Sequence, residues 1–172
     1  MRYRAMLAAL AMLAACGKEE ESATPPPPAT LTQAAIGHFC GMVVLDHPGP
    51  KAQIFVAGRP EPYWFTSVRD AVAFTLLPEE PKDVTAFYVT DMGKADDWDR
   101  PQSWIAAGKA VFVIGSARRG GMGQQEAIPF ADAAAADQFA AQQGGRIVAL
   151  ADIPEDYILG GDESPAAEGA GR

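Results

Sequence analysis

The 172-residue chain is short of the groups from which most sites are built. It has two cysteines, two histidines, and 14 basic residues against 22 acidic ones, for a net charge of -8. An acidic balance of this size lacks the positive footprint that a polyanion needs, so no nucleic-acid partner is expected. One or two thiolates and two imidazoles also fall short of a closed zinc site, which takes about four nitrogen, oxygen or sulfur ligands. No long apolar run is seen either. The stretch Ala5–Ala15 is well under the roughly 20 residues that span a bilayer. Glycine loops of the phosphate-binding kind are missing: Gly120-Gly121-Met122-Gly123 has no Gly-Lys-Ser/Thr ending.

What is present sorts by position. Arg2 and Arg4 precede the Ala5–Ala15 run, which ends in Leu13-Ala14-Ala15-Cys16. Charge, a short apolar segment and small residues before a cysteine read as a lipoprotein signal peptide over residues 1–15, with Cys16 as the acylated first residue of the mature protein. Several acyl chains anchor firmly where one binds only marginally, so the protein is expected to be held at the membrane by its lipid anchor without crossing it. Gly17 rather than Asp after the cysteine points to the outer membrane, with the body facing the periplasm. Residues 16–33, with three consecutive glutamates and the run Pro25 to Pro28, read as a flexible Pro-rich tether. Residues 34–160 have globular composition and suffice for one domain, and 161–172, rich in Gly, Ala and Glu, read as a disordered tail.

The globular part repeats itself. Gly58, Glu61, Phe65, Ala71 and Phe74 recur 65 residues later as Gly123, Glu126, Phe130, Ala136 and Phe139. In each copy an N-cap type follows the Phe (Thr66-Ser67, then Asp132), which predicts helices over about 67–77, stopped by Pro78, and 132–143, stopped by Gly144-Gly145. Strand-rich runs lie before them at 42–45, 53–56, 110–114 and about 126–129, and after them at 84–90 and 146–150. The prediction is an α+β fold of two β-β-α-β units, about 36–92 and 103–152, with helices packed on antiparallel sheet.

With Cys16 acylated, Cys40 has no thiol partner in an oxidising compartment. Such a thiol is inert and buried, a link between chains, reactive, or a metal ligand. His38-Phe39-Cys40-Gly41-Met42 puts an imidazole, a thiolate and a thioether within five residues, and an extended strand would aim the three to one side. Soft sulfur ligands select Cu(I). Of six methionines, Met1, Met6 and Met12 fall in the signal, leaving Met42, Met92 and Met122. Met122 lies among Gly120, Gly121 and Gly123, a loop setting that suits a thioether ligand better than core packing. Met92, before Gly93-Lys94, and His47, in the turn-like His47-Pro48-Gly49-Pro50, stand in reserve. The competing chemistry is a thiol-dependent enzyme, a lyase or hydrolase, using Cys40 with a nearby base.

Cys40-Gly41-Met42 after the lipobox, Trp64 to Asp70, Tyr88-Val89-Thr90-Asp91-Met92-Gly93, Phe112 to Ser116, and Gly120-Gly121-Met122-Gly123 through Glu126 to Phe130 together resemble NosL, the accessory lipoprotein family of nitrous oxide reductase maturation. The resemblance runs over about residues 35–155. It implies a Cu(I) metallochaperone rather than an enzyme, working beside a periplasmic copper-site assembly factor with its ABC transporter and delivering copper to apo nitrous oxide reductase. Carried over by motif, it makes Cys40 and Met122 the metal ligands, Met42 the next candidate, and His38 a weaker one.

Overall fold

A computed structural model describes residues 24–160. The signal peptide, Cys16 and the first part of the tether lie outside the described residues, as does the tail 161–172. The fold is α+β. Its strands are β1 (Ala52–Val56), β2 (Tyr63–Phe65), β3 (Val84–Thr90), β4 (Trp104–Ala106), β5 (Val111–Ile114), β6 (Ile128–Phe130) and β7 (Arg146–Ala149). Its helices are α1 (Val68–Leu76), α2 (Ala133–Gln143) and α3 (Glu155–Leu159). All strand pairs are antiparallel, in a four-stranded sheet β2-β1-β3-β4 and a three-stranded sheet β6-β5-β7.

Both sheets use the same wiring: β1-β2-α1-β3 and β5-β6-α2-β7, with the first strand central each time. Tyr63–Phe65 and Ile128–Phe130 keep the 65-residue offset, and Gly58 and Gly123 share a left-handed φ of +75° and +78°. The helix caps act as their residue types predict. Ser67 Oγ accepts the Asp70 N–H at 3.1 Å, and Asp132 Oδ1 accepts the Ala134 N–H at 2.9 Å, each satisfying a donor the helix cannot.

The structure corrects one strand. Residues 42–45 do not form the first strand of the first unit, because a tight turn precedes them and Val44–Asp46 winds as a single 3-10 turn. The second strand of that unit is Tyr63–Phe65 instead. Three aromatic residues squeezed between Pro62 and the Ser67 cap are too few to show a strand period. Strand β4 falls within the bounds read for the second unit but pairs with β3 in the first unit's sheet, and helix α3 lies beyond the predicted repeat.

Alternation along the central strands decides what each face meets. Ala52, Ile54 and Val56 face α1 and join Phe65, Val68, Phe74, Val89 and Phe112 in the larger core. Met92, Val113, Ile128, Phe130 and Ala136 form a second core under α2. Gln53 and Tyr88 point the other way, and the proline-rich segment lies over them. The Gln53 side-chain amide exchanges two hydrogen bonds with the backbone of Ala29, at 2.7 and 3.1 Å, and Tyr88 Oη donates to the Pro26 carbonyl at 2.7 Å. The segment read as free tether up to residue 33 is thus strapped to the domain from Pro26 onward, where a buried amide gives its backbone a partner.

Candidate metal centre

Cys40 sits in a tight loop. Ile36 bridges Val43, the Gly37 N–H donates to the Met42 carbonyl at 2.8 Å, and the Gly41 N–H donates to the Gly37 carbonyl at 2.8 Å. Gly41 takes φ +66°, which closes the loop. The His38 N–H donates to the Trp64 carbonyl at 2.8 Å and fastens the loop to β2. This is a turn rather than an extended strand, so strand alternation does not aim His38, Cys40 and Met42 to one side. The Cys40 sulfur lies 3.7 Å from Thr66 Oγ1, and a Cβ on Gly37 would come within 2.5 Å of the sulfur. Only glycine leaves room for the thiol there.

His38 is otherwise engaged. Its Nε2 lies 3.0 and 3.1 Å from the two Glu80 carboxylate oxygens, and its ring packs among Phe39, Tyr63, Phe65 and Phe74 with centroids 4.7 to 5.9 Å away. Met42, in the same loop as Cys40, is 37 % exposed, and Met122 is 42 % exposed. Both thioethers are therefore open to solvent rather than committed to the core. Met92 differs: it is 8 % exposed, part of the second core, with its sulfur 3.8 Å from the Thr90 hydroxyl. It packs, as an apolar residue beneath β6 should.

The Met122 loop is where the second repeat is the longer of the two. Ile54 pairs with Tyr63 nine positions on, whereas Val113 pairs with Ile128 fifteen positions on, so the second connection is six residues longer. That loop returns toward the first unit. A Cβ on Gly121 would meet the Pro48 carbonyl oxygen at 2.6 Å and His47 Cβ at 2.8 Å, which puts His47 beside the Met122 loop. A Cβ on Gly120 would meet Glu126 Oε2 at 2.6 Å. Glu126 Oε1 in turn accepts the Arg69 N–H at 2.8 Å, in the first turn of α1 directly after Thr66 and Ser67. The start of α1 therefore stands between the two loops, touching the Cys40 sulfur through Thr66 and the Met122 loop through Glu126.

Burial governs the ionisable groups around this junction. It pushes Glu126 up to about 7, an effect the backbone N–H groups of Arg69 and Ala127 offset in part. It also pushes Lys51 down to about 8, against the pull of Glu126 and Asp99. Lys51 Nζ donates to the carbonyls of Pro48 and Gly49, at 3.0 and 2.6 Å. The sequence gives Thr66 no role beyond a helix cap, gives Lys51 none, and points to a structural role for Glu126. The last was legible as a repeat position, but nothing in the repeat distinguishes it from Glu61, which is exposed.

Chemically, the described residues offer one thiol and two exposed thioethers in surface loops. No three of His, Cys, Asp and Glu come together in a metal-binding group among the described residues, so ligands of the hard or closed-zinc type are not gathered. No helix of the described residues is long and apolar enough to cross a membrane.

Residues 28–158 match a family model described as NosL. The copper-binding lipoprotein NosL of Achromobacter cycloclastes is 47 % identical over 162 residues, 92 % of this chain and 83 % of that protein. The copper-binding lipoprotein NosL of Stutzerimonas stutzeri is 32 % identical over 123 residues, 70 % of this chain and 63 % of that one. The crystal structure of the copper chaperone NosL from Shewanella denitrificans superimposes with a TM-score of 0.70 at 31 % identity, covering 76 % of this chain and 98 % of that one. The solution structure of apo-NosL from A. cycloclastes gives 0.50 at 47 % identity, over 66 % and 93 % of the two chains.

Proposed function

The chain belongs to the NosL family, and from that premise we propose that it is a lipid-anchored Cu(I) chaperone whose ligands are Cys40 and Met122, with Met42 as the next donor. The observation that carries this reading is the setting of Cys40. Its thiol is half-buried at a loop, over the bare Cα of Gly37, with the Thr66 hydroxyl as its hydrogen-bond partner. A thiolate joined by one or two exposed thioethers as donors would suit the softness and low coordination number of Cu(I). Few ligands on surface loops also suit transfer, since an incoming donor can displace them one at a time.

A thiol enzyme is the poorer reading. A nucleophilic cysteine needs a base in contact and a third group to orient that base. The hydrogen bond made by the Cys40 sulfur is to the Thr66 hydroxyl rather than to a base, while the imidazole nearest in sequence pairs through Nε2 with Glu80. His38 is for the same reason a weaker copper ligand than Met42, because binding through Nε2 would require breaking that pair.

Delivery to apo nitrous oxide reductase, beside a periplasmic assembly factor with its ABC transporter, follows from the family resemblance. Acylation at Cys16 is read from the lipobox Leu13-Ala14-Ala15-Cys16, and the outer-membrane, periplasm-facing location from Gly17 after it. The ligand assignment is tested by anaerobic titration with Cu(I) against a competing chelator. One tight site is expected, lost in Cys40→Ser and weakened about tenfold or more in Met122→Leu, a loss of about 1.4 kcal/mol or more. Unchanged affinity in both variants would overturn it.

A further inference from the structure

The loop that carries Met122 is pressed at two glycines against parts of the molecule that depend on buried ionisable groups. Gly120 lies on Glu126 Oε2, and Gly121 lies on the Pro48 carbonyl, one of the two that Lys51 holds. Glu126 is 1 % exposed. Its Oε1 accepts the N–H groups of Arg69 and Ala127, at 2.8 and 2.9 Å, while its Oε2 has no hydrogen-bond partner. A buried oxygen left without a donor is costly when charged and tolerable when protonated. The backbone of Gly120, two residues before Met122, lies directly against that oxygen.

We propose that Glu126 is a positioning residue for Met122: with its carboxyl neutral, the Gly120–Gly123 loop closes dry over Oε2, and with the carboxyl ionised, the loop loosens to let water reach that oxygen. The groups that face the carboxyl agree with a proton changing hands near neutrality. Burial raises its pKa to about 7, with Asp70 of α1 adding to the rise. The Ser67 hydroxyl and the N–H groups of Arg69 and Ala127 oppose it. Lys51 is within electrostatic reach, and Tyr157 of α3 donates to the Glu126 backbone carbonyl at 2.9 Å. The consequence for metal handling rests on the reading of Met122 as a ligand. A fixed thioether would hold copper in the protonated state and yield it more readily once the proton leaves.

Three methionines lie in the described residues, so methyl-13C-methionine labelling of the copper-free protein gives a readable probe. The Met122 methyl resonance is expected to shift with one midpoint, within about a pH unit of neutrality. That transition should vanish in Glu126→Gln and persist in His47→Gln, the control for the imidazole beside Gly121. Met92, packed in the second core, should stay still. A Met122 signal that is constant between roughly pH 5 and 9, or one that still titrates in Glu126→Gln, would overturn the proposal. Amide exchange on the wild-type protein needs no variant. The Gly120 and Gly123 N–H groups, bonded to the Gln124 and Gly120 carbonyls at 3.0 and 2.9 Å, should lose protection through the same pH range relative to Ala136 in α2. Constant relative protection would also overturn it. Copper is absent from both measurements, so their outcome stands apart from whether Met122 binds it.

Discussion

At Cys40 the chemistry depends on what surrounds the sulfur as much as on the thiol. A glycine lies beneath it and a hydroxyl beside it, while the imidazole two residues before it pairs with Glu80. Buried ionisable residues near it have a cost that pH should expose. The folded state keeps a proton on Glu126 between 4.5 and about 7 that the unfolded chain releases, so stability falls as pH rises through that window. Lys51 does the opposite: the folded state gives up its proton at about 8 rather than 10.5, so stability rises with pH between those values. Each shift is about 2.5 units, on the order of 3 kcal/mol, and the two penalties overlap between pH 7 and 8. Urea unfolding should therefore show wild-type stability falling from pH 5 to pH 7 relative to Glu126→Gln by about 2 kcal/mol. Parallel pH profiles for the two proteins would contradict the assigned burial cost.

Among the elements, the duplicated unit explains both the frame and its exception. Ser67 and Asp132 cap the two helices at matching positions, and β2 and β6 pair with their central strands in matching register. The second connection is six residues longer, and the surplus holds Met122. Loop length alters closure entropy only slowly, so a function can be placed there with little harm to the sheet. Cutting Arg118–Gly123 to the length of the first copy's connection should leave a cooperatively folded protein by circular dichroism and thermal melting. It should also remove Met122's share of Cu(I) affinity, giving the same weakening of about tenfold or more as Met122→Leu. A shortened variant that retained wild-type affinity would show that the loop carries no ligand.

For the whole molecule, the strap matters most. Pro26 and Ala29 are hydrogen-bonded to Tyr88 and Gln53 on the sheet face opposite α1. Cys16 then lies only ten positions before Pro26, a reach of at most about 36 Å even if fully extended. An anchored domain would hence stay close to the bilayer. Replacing Cys16 with Ala should move the protein from the membrane to the soluble fraction on cell fractionation while leaving Cu(I) affinity unchanged. Membrane retention of that variant would remove the lipid-anchor reading.

The amino-acid sequence by itself determined the repeat, the helices and their caps, because periodicity and N-cap types are local properties, and it singled out Cys40 and Met122 as candidates by their loop-bound sulfur and the family motif. It also suggested a strand at 42–45 and a shared face for His38 and Cys40, and both gave way to a turn closed by backbone hydrogen bonds between Gly37, Gly41 and Met42. The partnership of His38 with Glu80, the burial of Met92, the docking of the proline segment and the pressure of Gly120 on Glu126 were decided only in three dimensions. Each depends on contacts between residues far apart in the chain or on packing against another element, and such contacts leave no mark on local pattern. The thiol was legible in the sequence, whereas the proton held beneath its partner loop was not.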